Sequence, residues 1–325
     1  MDARNLRGIG FALCLCNTKA KLAINQGINN KLLEESMVID FKYSMVYDLM
    51  FHILAHMNVE NASNLYSKKY IDDINKIKKD GHDNIEEKLS FLAKYYNANF
   101  ERLGIINFLP FYCSSSTELT IAMENYNGFT EADKERFVFP LTQLINDEAV
   151  FYESYWNKLY DTTQILRANF ESQIMKELNK YQVLFSYFKK SAVVGVSYSL
   201  TNNGRGFGDH NVFNAVIPFV YHENQYKNSF YQILHEYTHQ FTDIMLGEKI
   251  RMDDGTHSLS EKLVVLFDYY LIKKLYKQDI DSYLKWIETL LNIDCSEEKV
   301  FLSTFEINKD INEKLLELVN AISEV

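Results

Sequence analysis

Between residues 37 and 190, apolar residues recur every three or four positions and alternate with polar faces rich in Lys, Asn, Asp and Glu. This period is typical of amphipathic helices. Pro140 is expected to interrupt the last stretch, because proline removes a backbone donor and clashes with the preceding turn. The helices predicted in this part lie near residues 43–59, 62–79, 85–97, 116–125 and, in several pieces, 131–189.

The period changes at Ser191, where residues 192–200 (AVVGVSYSL) and 211–221 (NVFNAVIPFVY) predict two strands. The glycine-rich segment between them, TNNGRGFGDH, superficially resembles a phosphate-binding loop. A dinucleotide fold would need a helix after that loop, and here another strand follows. We therefore expect a long hairpin loop at residues 201–210.

The helical period returns at residues 226–246, YKNSFYQILHEYTHQFTDIML, which predict an amphipathic helix with one buried side. Gly247 is a natural stop for it. After a polar loop over residues 248–256, either Ser258 or Ser260 is placed to cap a second apolar helix, EKLVVLFDYYLIKKLY. Further amphipathic helices are predicted at residues 279–293 and 306–322.

These patterns predict a mostly α protein with a small β-sheet, an α+β fold. Only 12 Gly and 3 Pro in 325 residues favour helix, and 22 Phe with 22 Tyr favour a well-packed core. We expect residues 1–190 to form a mainly helical N-terminal region and residues 191–325 to carry the chemistry, within one compact unit.

The net charge of −10 makes a nucleic-acid partner unfavourable, because no dense Lys or Arg face offsets repulsion from phosphates. No apolar run is long enough to span a membrane. Residues 8–16, GIGFALCLC, follow two arginines and have the outline of a short signal-peptide core. Asp2 and the lack of a convincing cleavage site favour a buried strand or helix there over a cleaved or membrane-associated leader.

The four cysteines, at positions 14, 16, 113 and 295, are spaced too irregularly for a disulfide framework or a zinc knuckle, so free thiols are expected. We expect a soluble protein and favour the cytoplasm over export. The sequence leaves the oligomeric state open.

The segment His235-Glu236-Tyr237-Thr238-His239 lies inside the predicted helix 226–246. Residues four apart stand one above the other on a helix, so both imidazoles could bind one metal ion while Glu236 flanks it. His52 and His56 have the same spacing, but Ile53 stands where the glutamate would be and the neighbours are apolar. We interpret that pair as packing residues rather than metal ligands.

The HExxH helix resembles that of the zincin metallopeptidases, and the resemblance covers this one helix. It implies a Zn²⁺ cofactor held by His235, His239 and a third protein ligand, with Glu236 as the general base. It also implies hydrolysis of a peptide or protein substrate. In zincins a strand antiparallel to the substrate often borders the cleft, and by resemblance residues 211–221 would form it.

Within that class, the metzincin branch requires His and Gly where Met245 and Thr242 stand. The gluzincin branch takes its third ligand from a glutamate on a second helix, and by resemblance Glu261 would be that ligand. The pattern also has an Asp four residues after the ligand, where this chain has Val265, although Asp268 follows two turns along the same face.

Several alternatives stay open. His257, Asp253 and Asp254 compete as third ligand, and Glu261 could instead be an ordinary first-turn acid. The oxyanion could be stabilised by any of five nearby residues: Tyr221, His222, His257, Tyr269 and Tyr270. A scaffold protein that keeps the helix without catalysis, and a zinc hydrolase of a non-peptide amide, are the alternative functions.

Overall fold

The computed structural model describes residues 38–57, 59, 62–78, 85–185, 191–201, 204–208, 212–246, 254–295 and 297–323. The segment 1–16 with its possible leader lies outside these residues, as do Gly247 and Asp253. Within the described ranges, no helix combines the length and apolarity that crossing a membrane requires. The two cysteines described, Cys113 and Cys295, are buried free thiols.

Helices make up the first half of the described chain, apart from strand β1 (Val38–Lys42). The helix predicted at residues 62–79 is split, because Ser67 donates its backbone N–H to Ser199 and Tyr66 bridges Leu200 beside the sheet. The helices are α1 (Met45–Met57), α2 (Ala62–Leu65), α3 (Lys68–Lys78), α4 (Ile85–Ala98), α5 (Phe100–Leu103), α6 (Ser116–Glu124), α7 (Glu131–Asp133), α8 (Phe139–Thr162), α9 (Gln164–Lys180) and α10 (Gln182–Phe185).

Pro140 changes the helix without ending it. The turn before it, Lys134–Val138, is π-helix, and Pro140 occupies the first turn of α8, where a missing N–H costs little. At the predicted interruption, the chain therefore changes from π-helix to α-helix and stays helical.

A four-stranded mixed sheet lies in the order β1, β2 (Ser191–Ser197), β4 (Val212–Pro218), β3 (Arg205–Gly208). β2 is parallel to both β1 and β4, whereas β3 is antiparallel to β4. The predicted hairpin of residues 192–200 and 211–221 is therefore wrong. The glycine-rich segment forms a strand of its own, and β4 lies inside the sheet rather than at its edge.

The second half of the described chain is helical after β4. The helix predicted at 226–246 is α11 (Tyr226–Leu246), and the next, α12 (Asp254–Leu275), begins seven residues before Glu261. Ser258 and Ser260 therefore lie inside α12 and do not cap it, which corrects both the predicted cap and the end of the predicted loop. The remaining helices are α13 (Ile280–Leu291), α14 (Glu298–Thr304) and α15 (Lys309–Ser323).

The sheet lies between α11 and α1. α11 packs against β4 and β3, and Gly206 of β3 faces it. Arg205, the preceding residue, points to the other face, where its guanidinium lies 4.8 Å from the centre of the Phe51 ring of α1. The structure thus confirms a mostly α, α+β protein.

A buried carboxylate joins α1 to the sheet. Asp48 is fully buried and accepts hydrogen bonds from the Ser197 hydroxyl of β2 and, at 2.9 Å, from the Trp156 indole N–H of α8. Burial raises the pKa of Asp48 to about 7, although these hydrogen bonds act to lower it. The Asp48 carboxyl thus links α1, β2 and α8 by hydrogen bonds.

We expect Asp48→Ala to lower the free energy of unfolding by about 3 kcal/mol, because it leaves buried donors without an acceptor. The pKa of Asp48 is higher in the folded state than its ordinary 3.8, so its stabilisation is complete below pH 4 and is lost as pH rises through about 7. Urea unfolding at pH 5 and pH 8 measures both effects. Asp40→Ala, at an exposed position of β1, is the control and should change stability by less than about 0.5 kcal/mol. If Asp48→Ala loses more free energy of unfolding at pH 8 than at pH 5, the predicted direction of the pH dependence is wrong.

Candidate metal centre

The helix that carries His235, Glu236 and His239 is enclosed on nearly all sides. None of the described side chains of α11 is exposed, and its apolar residues are 0 to 5% exposed from Tyr226 to Phe241. Partly open positions occur at 227, 228, 235, 236, 239, 240, 245 and 246. The helix therefore has a buried apolar side, as predicted, and its other side is only partly open to solvent.

The structure brings His235, His239 and Glu261 together. The Nε2 atom of His235 lies 3.1 Å from Glu261 Oε2, and the Nε2 atom of His239 lies 3.5 Å from Glu261 Oε1. One ligand atom from each residue lies within 4.8 Å of the others, and no further such group of His, Cys, Asp or Glu occurs among the residues that the structure describes.

These separations fit a tetrahedral zinc site. With metal–ligand bonds of about 2.1 Å, two ligand atoms of a tetrahedron lie about 3.4 Å apart. Both Nε2 atoms are near that distance from a Glu261 oxygen. Two imidazoles and one carboxylate are a ligand set of catalytic zinc, in which a fourth position is left for water or substrate.

Glu261 reaches the centre from the third turn of α12, not from its first turn as predicted. The helix dipole acts mainly on the first turn, so it does not account for an acid at this position. α11 and α12 pack against each other, with Ser260 near His239 and Asp268 in contact with Thr238. Of the competing third ligands, Asp253 and the side chains of Asp254 and His257 lie outside what the structure describes.

Side-chain exposure shows where the centre opens. His235 is 12% exposed, His239 21% and Glu261 40%. Solvent therefore reaches the three residues from the Glu261 side, while His235 lies deepest.

Asp268 lies behind His235, on the side away from Glu261. Its Oδ1 accepts a 2.7 Å hydrogen bond from the Thr238 hydroxyl, and its Oδ2 lies 3.8 Å from His235 Nδ1. Oδ2 and Nδ1 are both buried and have no hydrogen-bond partner among the described atoms. Asp268, seven residues after Glu261, is thus the carboxylate nearest the second ring nitrogen of His235, a position from which it could orient the imidazole.

Three carboxylates act on His235. Burial lowers the pKa of its imidazole, but the hydrogen bond and charge of Glu261, with the charges of Glu236 and Asp268, raise it to about 9. Burial likewise raises the pKa of Asp268 to about 7. The centre has more negative than positive groups, so it favours a cation.

Glu236 lies between the centre and β3. Burial raises the pKa of its carboxyl, against the lowering effects of His235, of the Gly206 backbone N–H and of Arg205. The edge beside Glu236 is β3, so the prediction that residues 211–221 form the bordering strand is wrong. Alternating glycines at 204, 206 and 208, which have the period of a strand, were the signal for this edge.

The other candidates lie elsewhere. His52 Nε2 lies 3.2 Å from the Glu148 carboxylate, and its ring packs on His56 and Tyr152, as expected for packing residues. Of the oxyanion candidates, Tyr270 donates to Asn312, while Tyr269 packs on Phe301. Tyr221 packs on Phe219, and His222 precedes the 3-10 turn before α11. None of these contacts turns a side chain toward His235.

No protein-family model, curated protein or solved structure matches this chain.

We expect His235→Ala, His239→Ala and Glu261→Ala each to lose tight zinc binding while the helical content stays unchanged. The extensive core does not depend on the ion for its folding. Zinc content after dialysis and far-UV circular dichroism are the measurements, with exposed His222→Ala as the matched control. If His257→Ala loses zinc and Glu261→Ala keeps it, Glu261 is not the third ligand.

Asp268→Asn should weaken zinc binding by about 10- to 100-fold, because a neutral amide orients and polarises the His235 imidazole less than a carboxylate does. Competition with a chromogenic chelator measures the affinity. Thr238→Val, which removes the hydroxyl that fixes Asp268, should weaken binding in the same direction. Unchanged affinity in both variants would show that the pair has only a packing role.

Proposed function

We propose that this protein is a zinc-dependent metallopeptidase of the gluzincin type, with Glu236 as general base. The observation that carries this proposal is the convergence of both HExxH imidazoles on the Glu261 carboxylate, at distances suited to one tetrahedral ion. A chance His-x-x-x-His spacing on a helix would not require a third ligand from another helix at the same point. The packing of α12 on α11 supplies it.

Each residue has a separate task. The Nε2 atoms of His235 and His239 and the Glu261 carboxylate would hold the ion, and Asp268, 3.8 Å from His235 Nδ1, would orient that ring. Bound there, zinc would lower the pKa of a coordinated water to about 7 and polarise the substrate carbonyl. The Glu236 carboxylate, one residue from His235, would accept the proton of that water and deliver it to the leaving amine.

The environment of Glu236 suits this role. Its raised pKa makes the carboxylate a stronger base than an exposed glutamate. Glu261, which has the same charge, is occupied by the two histidines and is the most exposed of the three ligands. The acid that binds the ion and the acid that moves the proton are thus distinguished by their positions.

Glu236→Gln should retain zinc at the wild-type level and lose about 100- to 10,000-fold in hydrolysis rate, because the amide cannot accept the proton. Digestion of a peptide library by zinc-loaded protein, with and without chelator, followed by mass spectrometry, measures activity. Zinc content is measured on the same samples. Glu223→Gln, in the exposed turn before α11, is the matched control and should leave the rate unchanged.

The outcomes separate the alternative functions. Wild-type rates in Glu236→Gln would exclude Glu236 as the base. Zinc binding without peptide cleavage would favour a scaffold protein or a non-peptide amide substrate, and a protein that binds no zinc would remove the proposal.

A further inference from the structure

The edge strand β3 lies directly against the helix that carries Glu236. A Cβ atom added at Gly206 would stand 2.7 Å from Glu236 Oε2, closer than Cβ atoms come to other atoms, and 3.0 Å from Glu236 Cβ, which is a tight contact. Gly206 therefore has no side chain for a specific reason, since the strand backbone and the Glu236 side chain occupy adjoining space.

The contact continues along the strand. A Cβ at Gly204 would lie 3.5 Å from the Gln232 side chain, one helical turn before Glu236, and 2.9 Å from the backbone oxygen of Val216. Two residues of extended chain and one turn of helix have similar lengths, so Gly204, directly before β3, and Gly206 within it meet successive turns of α11. This match keeps the strand in register with the helix at Glu236.

Gly206 also offers a donor. Its backbone N–H acts on the Glu236 carboxylate as a hydrogen-bond donor. A backbone N–H in a sheet is held by the strand and keeps its direction, unlike a donor on a flexible side chain. The antiparallel pairing of Gly206 with Ala215 of β4 anchors it.

We propose that Gly206 is a positioning residue for Glu236, such that the backbone of β3 fixes the carboxylate beside the metal centre by close approach and by its N–H. This inference rests on the proposed function for its kinetic consequence, but the contact itself can be tested without activity. The remaining mobility of Glu236 is confined to one side, because β3 covers the other.

The kinetic test is Gly206→Ala in zinc-loaded protein. The added methyl must displace the carboxylate, and a shift of about 1 Å in a catalytic group costs about 100-fold in rate. We expect kcat to fall by about that factor while KM and zinc content stay within about twofold. A residue with a merely structural role would instead lower zinc content and thermal stability.

Gly195→Ala is the matched control within the same sheet. A Cβ there would meet Phe111 at 3.3 Å and backbone at 3.4 Å, away from Glu236, so it should change stability at most and leave kcat unchanged. If Gly206→Ala keeps wild-type kcat with full zinc content, Gly206 does not position Glu236.

The contact itself is tested by NMR on protein labelled with ¹⁵N-glycine, which contains 12 glycines and hence few resonances. The Gly206 signal is identified by its loss in Gly206→Ala. In Glu236→Ala the Gly206 amide proton should shift upfield, because it loses a charged acceptor. An unchanged Gly206 resonance overturns the inference whether or not the protein cleaves peptides. A shifted resonance in a protein without peptidase activity supports the contact and rejects only the proposed function.

Discussion

The structure is organised around a concentration of negative charge at one buried imidazole. Glu236, Glu261 and Asp268 all act on His235, and two of the three are held in surroundings that raise their pKa. Carboxylates placed together in a poorly hydrated site repel each other unless a cation lies among them. Protonated His235 can supply one positive charge, and a divalent ion supplies two. Apolar side chains cover most of α11, so solvent reaches these charges mainly from the Glu261 side.

Local sequence was sufficient for the features that depend on periodicity and spacing. The mostly α fold, the extent of α11 and the positions of most helices follow from apolar residues three and four apart. Glu261 lies beside both histidines, which is the position that the resemblance implied for it. The sequence did not predict the start of α12, because residues 254–260 (DGTHSLS) are mostly polar and lack the apolar period of a helix.

Strand order could not be predicted, because pairing depends on chain segments far apart. Two apolar runs separated by a glycine-rich segment suggested a hairpin, yet β2 and β4 are parallel and the segment itself forms the edge. This segment can form the edge beside α11 because Gly204 and Gly206 lie close against the helix, and that contact can be recognised only in the folded structure. Side chains alternate between the two faces of a strand, so Arg205, next to Gly206, points to the opposite face of the sheet and reaches Phe51.

The parallel pairing of β1 with β2 has a consequence for synthesis of the chain. Val38 pairs with Ser191, so about 150 residues of mostly helical chain separate the two strands. At roughly 5 to 20 residues per second, a ribosome needs on the order of 10 to 30 seconds to make that segment. During this interval the helices can form locally, while β1 has no partner within the sheet. β1 can therefore pair with β2 only after the intervening helices have been synthesised.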